Sequence, residues 1–176
     1  MTTPCNVWPF DVLPSRPSPF PGECLSGYLL RLANTNGYIK VGNLIEDLFP
    51  SYGIRRQSEI ANWEIPLRGW EHAPIQTGLS STELIKLTFS PLLHKFGVLP
   101  SSRVNRGKLR FLPDLVNPTL RICPLCLKSQ PFIRLLWRIT SVNVCLKHRV
   151  FLQERCTKCN TILTPIGPQH GNPPVK

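Results

Sequence analysis

No run of apolar residues in this chain approaches the length of a membrane span, so a transmembrane helix is not expected. The opening MTTPCNVWPF has neither a basic segment nor a continuous apolar one, so no secretory leader is expected either. A glycine-rich phosphate loop of the G-x-x-x-x-G-K-[ST] kind and a G-x-S-x-G nucleophile elbow are both missing. Carboxylates are scarce in the second part of the chain, where residues 101–176 hold only Asp114 and Glu154. Of the histidines His72, His94, His148 and His170, only His148 has an obvious set of partners. A catalytic zinc would keep an open position beside a general base. No such constellation stands out, and a non-enzyme is expected.

The shortage of acid shapes the charge. Residues 1–100 hold eight Lys/Arg and eight Asp/Glu, whereas residues 101–176 hold thirteen against two, so the whole formal charge of +11 belongs to the second part. A closed site of three thiolates and one imidazole on a divalent ion would subtract only one unit. The surplus attracts polyanions, nucleic acid above all. The plainer reading is a basic surface that serves solubility.

That basic part carries five of the seven cysteines. They fall in three knuckles: CPLC at 123–126, CLKH at 145–148 and CTKC at 156–159. Two ligands separated by two residues can meet one ion from a single tight turn, and zinc takes four in a tetrahedron. Cys123, Cys126, Cys145 and His148 are expected to form one zinc site. The 18 residues between Cys126 and Cys145 suffice for a hairpin, and the Trp, Ile, Val and Thr content of 132–144 suits one. A disulfide framework is the competing reading, but it leaves His148 without a role. A rival pairing joins Cys123 and Cys126 to Cys156 and Cys159; the adjacent pairing closes a shorter loop and costs less entropy. Cys156 and Cys159 form a second, weaker site, with His170 as the only downstream candidate ligand.

Along the chain, residues 1–21 carry six prolines and read as an extended arm whose Trp8, Phe10 and Phe20 could dock on the body or a partner. A helix is expected over 23–35, with Leu25, Tyr28, Leu29 and Leu32 on one face, Glu23 in its first turn and Gly37 as its stop. A second helix is expected over 41–49 and a short turn of helix over 58–63. A further helix opens on the capping box Ser80-Ser-Thr-Glu83 and runs until Pro91. Cys24 reads as a small buried hydrophobe. Residues 101–120 form a basic strap with Arg103, Arg106, Lys108 and Arg110, suited to phosphate backbones or simply a solvated linker. Arg134, Arg138, Lys147, Arg149, Arg155 and Lys158 extend the basic surface, and Trp137 reads as core. The expected organisation is a mainly α protein with small zinc-ribbon β-hairpins: arm 1–21, helical domain 22–100, basic linker 101–120, zinc-finger domain 121–163 and disordered tail 164–176. Helices this short permit a helix-turn-helix arrangement, although the expected outer faces offer few base-reading side chains.

Two stretches resemble the TniQ family of target-selection proteins from Tn7-like transposons. PGECLSGYLLRLANTNG at 21–37 is similar to its amino-terminal helix motif, and RICPLCLKSQPFIRLLWRITSVNVCLKHRVFLQERCTKCN at 121–160 is similar to its zinc segment. The resemblance implies a helix-turn-helix-like amino-terminal domain, tandem zinc fingers and an adaptor role in a prokaryotic cytoplasm. The implied partners are a CRISPR effector with its guide RNA, target DNA and the AAA+ regulator of the transposase, TnsC-like; no membrane and no small-molecule substrate is implied. The alternative is an autonomous sequence-specific DNA-binding protein. A zinc-dependent nuclease is a third and weaker reading.

Overall fold

A computed structural model describes residues 12–49, 72–95, 115–117 and 119–164. The expected turn over 58–63, the basic residues of the strap and His170 lie outside the described residues.

Helix α1, Leu25–Thr35, buries Leu25, Tyr28, Leu29, Leu32 and Ala33 on one face. Burying each leucine stabilises the fold by roughly 2 kcal/mol. The helix starts two residues later than its periodicity predicts. Cys24 is the N-cap, its sulfur accepting from the Gly27 amide at 3.4 Å. Glu23 lies before the cap because its carboxylate is engaged elsewhere: it accepts from the Phe20 amide and, at 2.9 and 2.8 Å, from the Arg31 guanidinium. At the other end Asn36 is the C-cap, and Gly37 follows at φ +74°, a conformation that glycine adopts without penalty.

The arm docks where it is described. Asn36 exchanges two hydrogen bonds with the Ser15 backbone, and Leu13 is buried with its amide on the Gln76 carbonyl at 3.1 Å. Helix α2, Val41–Leu48, folds back on α1 through Val41, Leu44, Ile45 and Leu48. Helix α3, His72–Thr77, was not foreseen; Pro74 sits in its first turn, where no amide donor is needed. Helix α4, Ser81–Lys86, has the predicted capping box, with Ser80 Oγ accepting from the Glu83 amide and Glu83 Oε2 accepting from the Ser80 amide. Those bonds hold the Glu83 carboxyl below its usual range. The helix stops at Lys86 rather than running to Pro91, because Leu87 turns its amide back to the Leu84 carbonyl and its own carbonyl accepts from Leu25. Pro91 then opens helix α5, Ser90–Lys95, for the same reason that Pro74 is tolerated in α3.

The expected hairpin over 132–144 is not what forms. Those residues spend their backbone bonds on other segments. Ile133 accepts from Cys24 at 2.9 Å, Leu135 donates to Gly22 at 2.9 Å, and Glu23 pairs with Arg134 in an antiparallel bridge. A 3-10 turn, Leu135–Arg138, follows, and Ile139 bridges Val116. The run FIRLLW is contacted from several sides, so its apolar content does not read as a two-faced strand. A short helix α6, Pro124–Ser129, grows from the first knuckle with proline at its first position. The β-structure described is a set of isolated bridges, including Val144 to Phe151 and Arg155 to Ile162.

The helical core is Leu13, the buried faces of α1 and α2, Ala73, Leu84 and Leu87. A second core gathers Cys24, Leu120, Cys123, Cys126, Ile133, Trp137, Cys145 and Leu152, and Leu30 packs against both. Gly27 marks the seam. A Cβ built there would lie 2.9 Å from the Ile133 Cβ and 3.3 Å from the Cys24 sulfur. The helix gives up a side chain so that the cysteine-rich part can approach.

Candidate metal centre and basic face

Four side chains converge behind that seam. The ligand atoms of Cys123, Cys126, Cys145 and His148 all lie within 4.8 Å of one another, and among the described residues they are the only such group of three or more. His148 Nδ1 is 3.4 Å from Cys123 Sγ, 3.3 Å from Cys126 Sγ and 3.7 Å from Cys145 Sγ, and the sulfurs of Cys126 and Cys145 are 3.6 Å apart. A tetrahedral shell with metal–sulfur bonds of ~2.3 Å and a metal–nitrogen bond of ~2.0 Å has edges of about 3.5–3.8 Å. The cluster can hold a metal ion.

Local sequence builds each corner. Cys123 is the N-cap of α6, which carries Cys126 one turn on. Cys145 opens a tight turn in which its amide donates to the Val150 carbonyl at 2.8 Å and its carbonyl accepts from Arg149 at 2.7 Å. Arg149 takes φ 55° to close it. All three cysteines are buried, and His148 is half-buried.

Burial and the neighbouring sulfurs push the Cys126 thiol up to about 11. Burial also opposes ionisation of Cys145, but hydrogen bonds from the His148 backbone and ring, together with Cys126 and Cys123, outweigh it and bring that thiol to about 6. Three sulfurs this close resist joint ionisation unless a cation lies among them.

Arg121 supports the loop behind the cluster. It is buried, donates to the carbonyls of Ile139 at 2.6 Å and Thr140 at 3.1 Å, and bonds Asn143 Oδ1. The sequence offered only its place before the first knuckle, and no local signal distinguishes a strut from a surface arginine.

The third knuckle repeats the second. Cys156 donates to Thr161 at 2.9 Å and accepts from Asn160 at 2.9 Å, Asn160 takes φ 56°, and Leu163 donates to Glu154 as Leu152 does to Asn143. Yet Cys156 is half-buried and Cys159 exposed, and neither joins the four-residue cluster. The Thr161 hydroxyl, 3.3 Å from Cys159 Sγ, and the Thr161 amide hold that thiol below its ordinary value. Cys123 and Cys126 face Cys145 and His148, not this pair.

The basic residues divide. Lys147, Arg149, Arg155 and Lys158 are exposed. Arg138, expected on the basic face, is fully buried at the end of the 3-10 turn and cannot be offered to a phosphate. Arg134 is half-buried and ends a stack in which Arg31 lies 4.6 Å from the Phe20 ring, Phe20 is 4.7 Å from Phe132, and Arg134 is 4.6 Å from Phe132. Arg103, Arg106, Lys108 and Arg110 lie outside the described residues. Trp137 is core, as its sequence context predicts.

The family model described as TniQ matches residues 14–152, most of the chain. The chain belongs to the TniQ family. TniQ proteins are accessory factors of DNA transposition rather than known catalysts. The TniQ match takes in the arm from residue 14 onward, the described helices and all four clustered ligands, and ends before the third knuckle. No curated protein matches the chain. Among the described residues, no helix is long and apolar enough to cross a membrane.

Proposed function

We propose that this TniQ protein is a non-catalytic adaptor in RNA-guided transposition, linking a CRISPR effector and its guide RNA at target DNA to a TnsC-like AAA+ regulator. The single observation that carries the reading is the family match across 14–152, which joins the helical part and the Cys/His cluster in one transposition accessory protein.

Zinc is the ion we assign to Cys123, Cys126, Cys145 and His148. Three thiolates and an imidazole suit a borderline-soft ion without geometric preference of its own. With every position taken by a side chain, its contribution would be to fix the turns that carry the basic residues. Lys147, Arg149, Arg155 and Lys158 would then meet phosphate, helped by Arg134 and by the strap residues Arg103, Arg106, Lys108 and Arg110. The helix-turn-helix-like part, residues 22–100 with zero net charge, would face the ATPase and effector subunits. Cys156 and Cys159, with His170, remain a second metal site in this reading, one that needs further ligands. Its setting is the prokaryotic cytoplasm, at the nucleoid.

Co-purification tests the proposal. Immobilised protein is expected to capture the ATPase and, separately, the guide-loaded effector. Neutralising Lys147, Arg149, Arg155 and Lys158 together should weaken effector retention and leave ATPase capture unchanged. A tight footprint on one DNA duplex, formed with no guide RNA present, would overturn the adaptor in favour of an autonomous DNA reader.

A further inference from the structure

Phe151 is a large aromatic ring that the fold leaves in water. It is 77 % exposed, on one of the most firmly tied segments of the chain. Val144 bridges it, the Cys145 amide holds the preceding carbonyl at 2.8 Å, and the following Leu152 is buried with its amide on Asn143 at 2.8 Å. The backbone that carries the ring is therefore tied down, while the ring itself contributes to no core. Position 162 of the third knuckle is its counterpart, bridged to Arg155 as Phe151 is to Val144, and carries an isoleucine. The aromatic is thus a property of one turn and not of the knuckle fold.

The same turn exposes Lys147 and Arg149. Residues 119–164 hold eight Lys/Arg, and with Arg121 and Arg138 buried six are left against the single carboxylate of Glu154, so a partner here is polyanionic. An exposed planar ring on a turn that also carries two exposed cations matches the chemistry of a nucleotide: ring for base, cations for the flanking phosphates. Leu146, 76 % exposed, and Val150 stand on the same turn, so an apolar protein contact is the competing occupant; the excess of cations over the single nearby carboxylate favours the polyanion. Duplex hides its base faces in the stack and offers only phosphates and groove edges, so the ring gains nothing from it except at an end.

We propose that Phe151 is a stacking platform for an unpaired nucleobase of a single-stranded nucleic acid, with Lys147 and Arg149 holding the adjoining phosphates. The proposal rests on the reading of the basic face as a nucleic-acid surface and narrows it to unpaired strands.

Fluorescence anisotropy on the full, metal-loaded chain tests it, with labelled single-stranded RNA, single-stranded DNA and a duplex titrated at several salt concentrations. Phe151→Ala should weaken both single strands by about 5- to 150-fold, since stacking does not depend on the sugar. Duplex binding and the salt slope should not change, and Phe151→Trp should restore affinity for the single strands. Lys147→Ala combined with Arg149→Asn, an exchange that tolerates the positive φ, should weaken all three ligands and flatten the salt slope. Metal content and circular dichroism confirm that each variant is folded. Unchanged single-strand affinity in Phe151→Ala overturns the platform while leaving the basic face intact, as does an equal loss on duplex. A Phe151→Ala defect confined to capture of the ATPase also overturns it, in favour of a protein contact. Wild-type protein that binds none of the three ligands overturns the nucleic-acid reading of the face, and the platform with it.

Discussion

The second and third knuckles have one backbone and two fates. Each begins with a cysteine whose amide and carbonyl are both used within the turn, and each closes on a residue at φ near 55°, Arg149 or Asn160. Around the second knuckle the chain supplies two more ligands from α6, a buried Trp137 and the Gly27 face of α1. Around the third, Leu163 packs on that same core, but the described residues bring no further ligands to Cys156 and Cys159. A knuckle is thus a local object, whereas a metal site is a tertiary one. Two side chains from one turn occupy half a tetrahedron, and only packing brings the other half within 4.8 Å.

The largest effect should come from breaking the metal site proposed at the second knuckle. Structural zinc contributes apparent folding free energy of roughly 10–16 kcal/mol in small fingers. Cys126→Ser is expected to abolish stoichiometric metal and remove exchange protection from the amides of residues 121–153. Cys159→Ser should leave one bound ion and that protection intact. Metal analysis with hydrogen exchange reads both, and loss of the ion in Cys159→Ser would erase the contrast between the knuckles.

A smaller effect is expected from the support behind the second knuckle. Arg31 neutralises Glu23, whose side chain is fully buried, and the Glu23 backbone bridges Arg134. Arg31→Ala leaves that carboxylate without its ion pair and should cost about 3 kcal/mol in urea unfolding. Amides near 133–135 should lose protection first, with those of 156–163 unaffected. Equal loss in both regions would mean that the third knuckle shares the same support.

Gly27→Ala should cost about 1–3 kcal/mol, because the new methyl must displace the Ile133 Cβ or the Cys24 sulfur. The accompanying sign is a change in the environment of the Cys123–His148 cluster, visible as shifted absorption of a cobalt-substituted sample. A Tm equal to wild type would show that the seam can open without strain.

The smallest effect compares the two turns directly. Arginine tolerates positive φ less well than asparagine, so Arg149→Asn should stabilise by up to about 1 kcal/mol, and Asn160→Arg should destabilise by a similar amount. Differential scanning calorimetry on the pair measures it. Opposite signs confirm that the two turns carry the same backbone demand, and matching signs would refute it.

Much of the helical part was legible from sequence. The i, i+3, i+4, i+7 pattern of Leu25, Tyr28, Leu29 and Leu32 set the buried face of α1, and Ser80 with Glu83 set the start of α4. Cysteine spacing marked all three turns, since a ligand pair two residues apart has few other uses. A proline misled once: Pro91 sits in a first turn, where a missing amide is harmless, and one-dimensional reading treats proline as a stop. Arg138 was also misplaced: nothing local separates an arginine that faces water from one folded under a 3-10 turn.

The sequence by itself determined the turns, the caps and the sign of the charge, because each depends on neighbours within a few residues. Where the 132–144 segment spends its backbone bonds and why residue 27 has no side chain were decided only in three dimensions. Those outcomes depend on contacts between segments about a hundred residues apart, and such contacts leave no periodic trace along the chain.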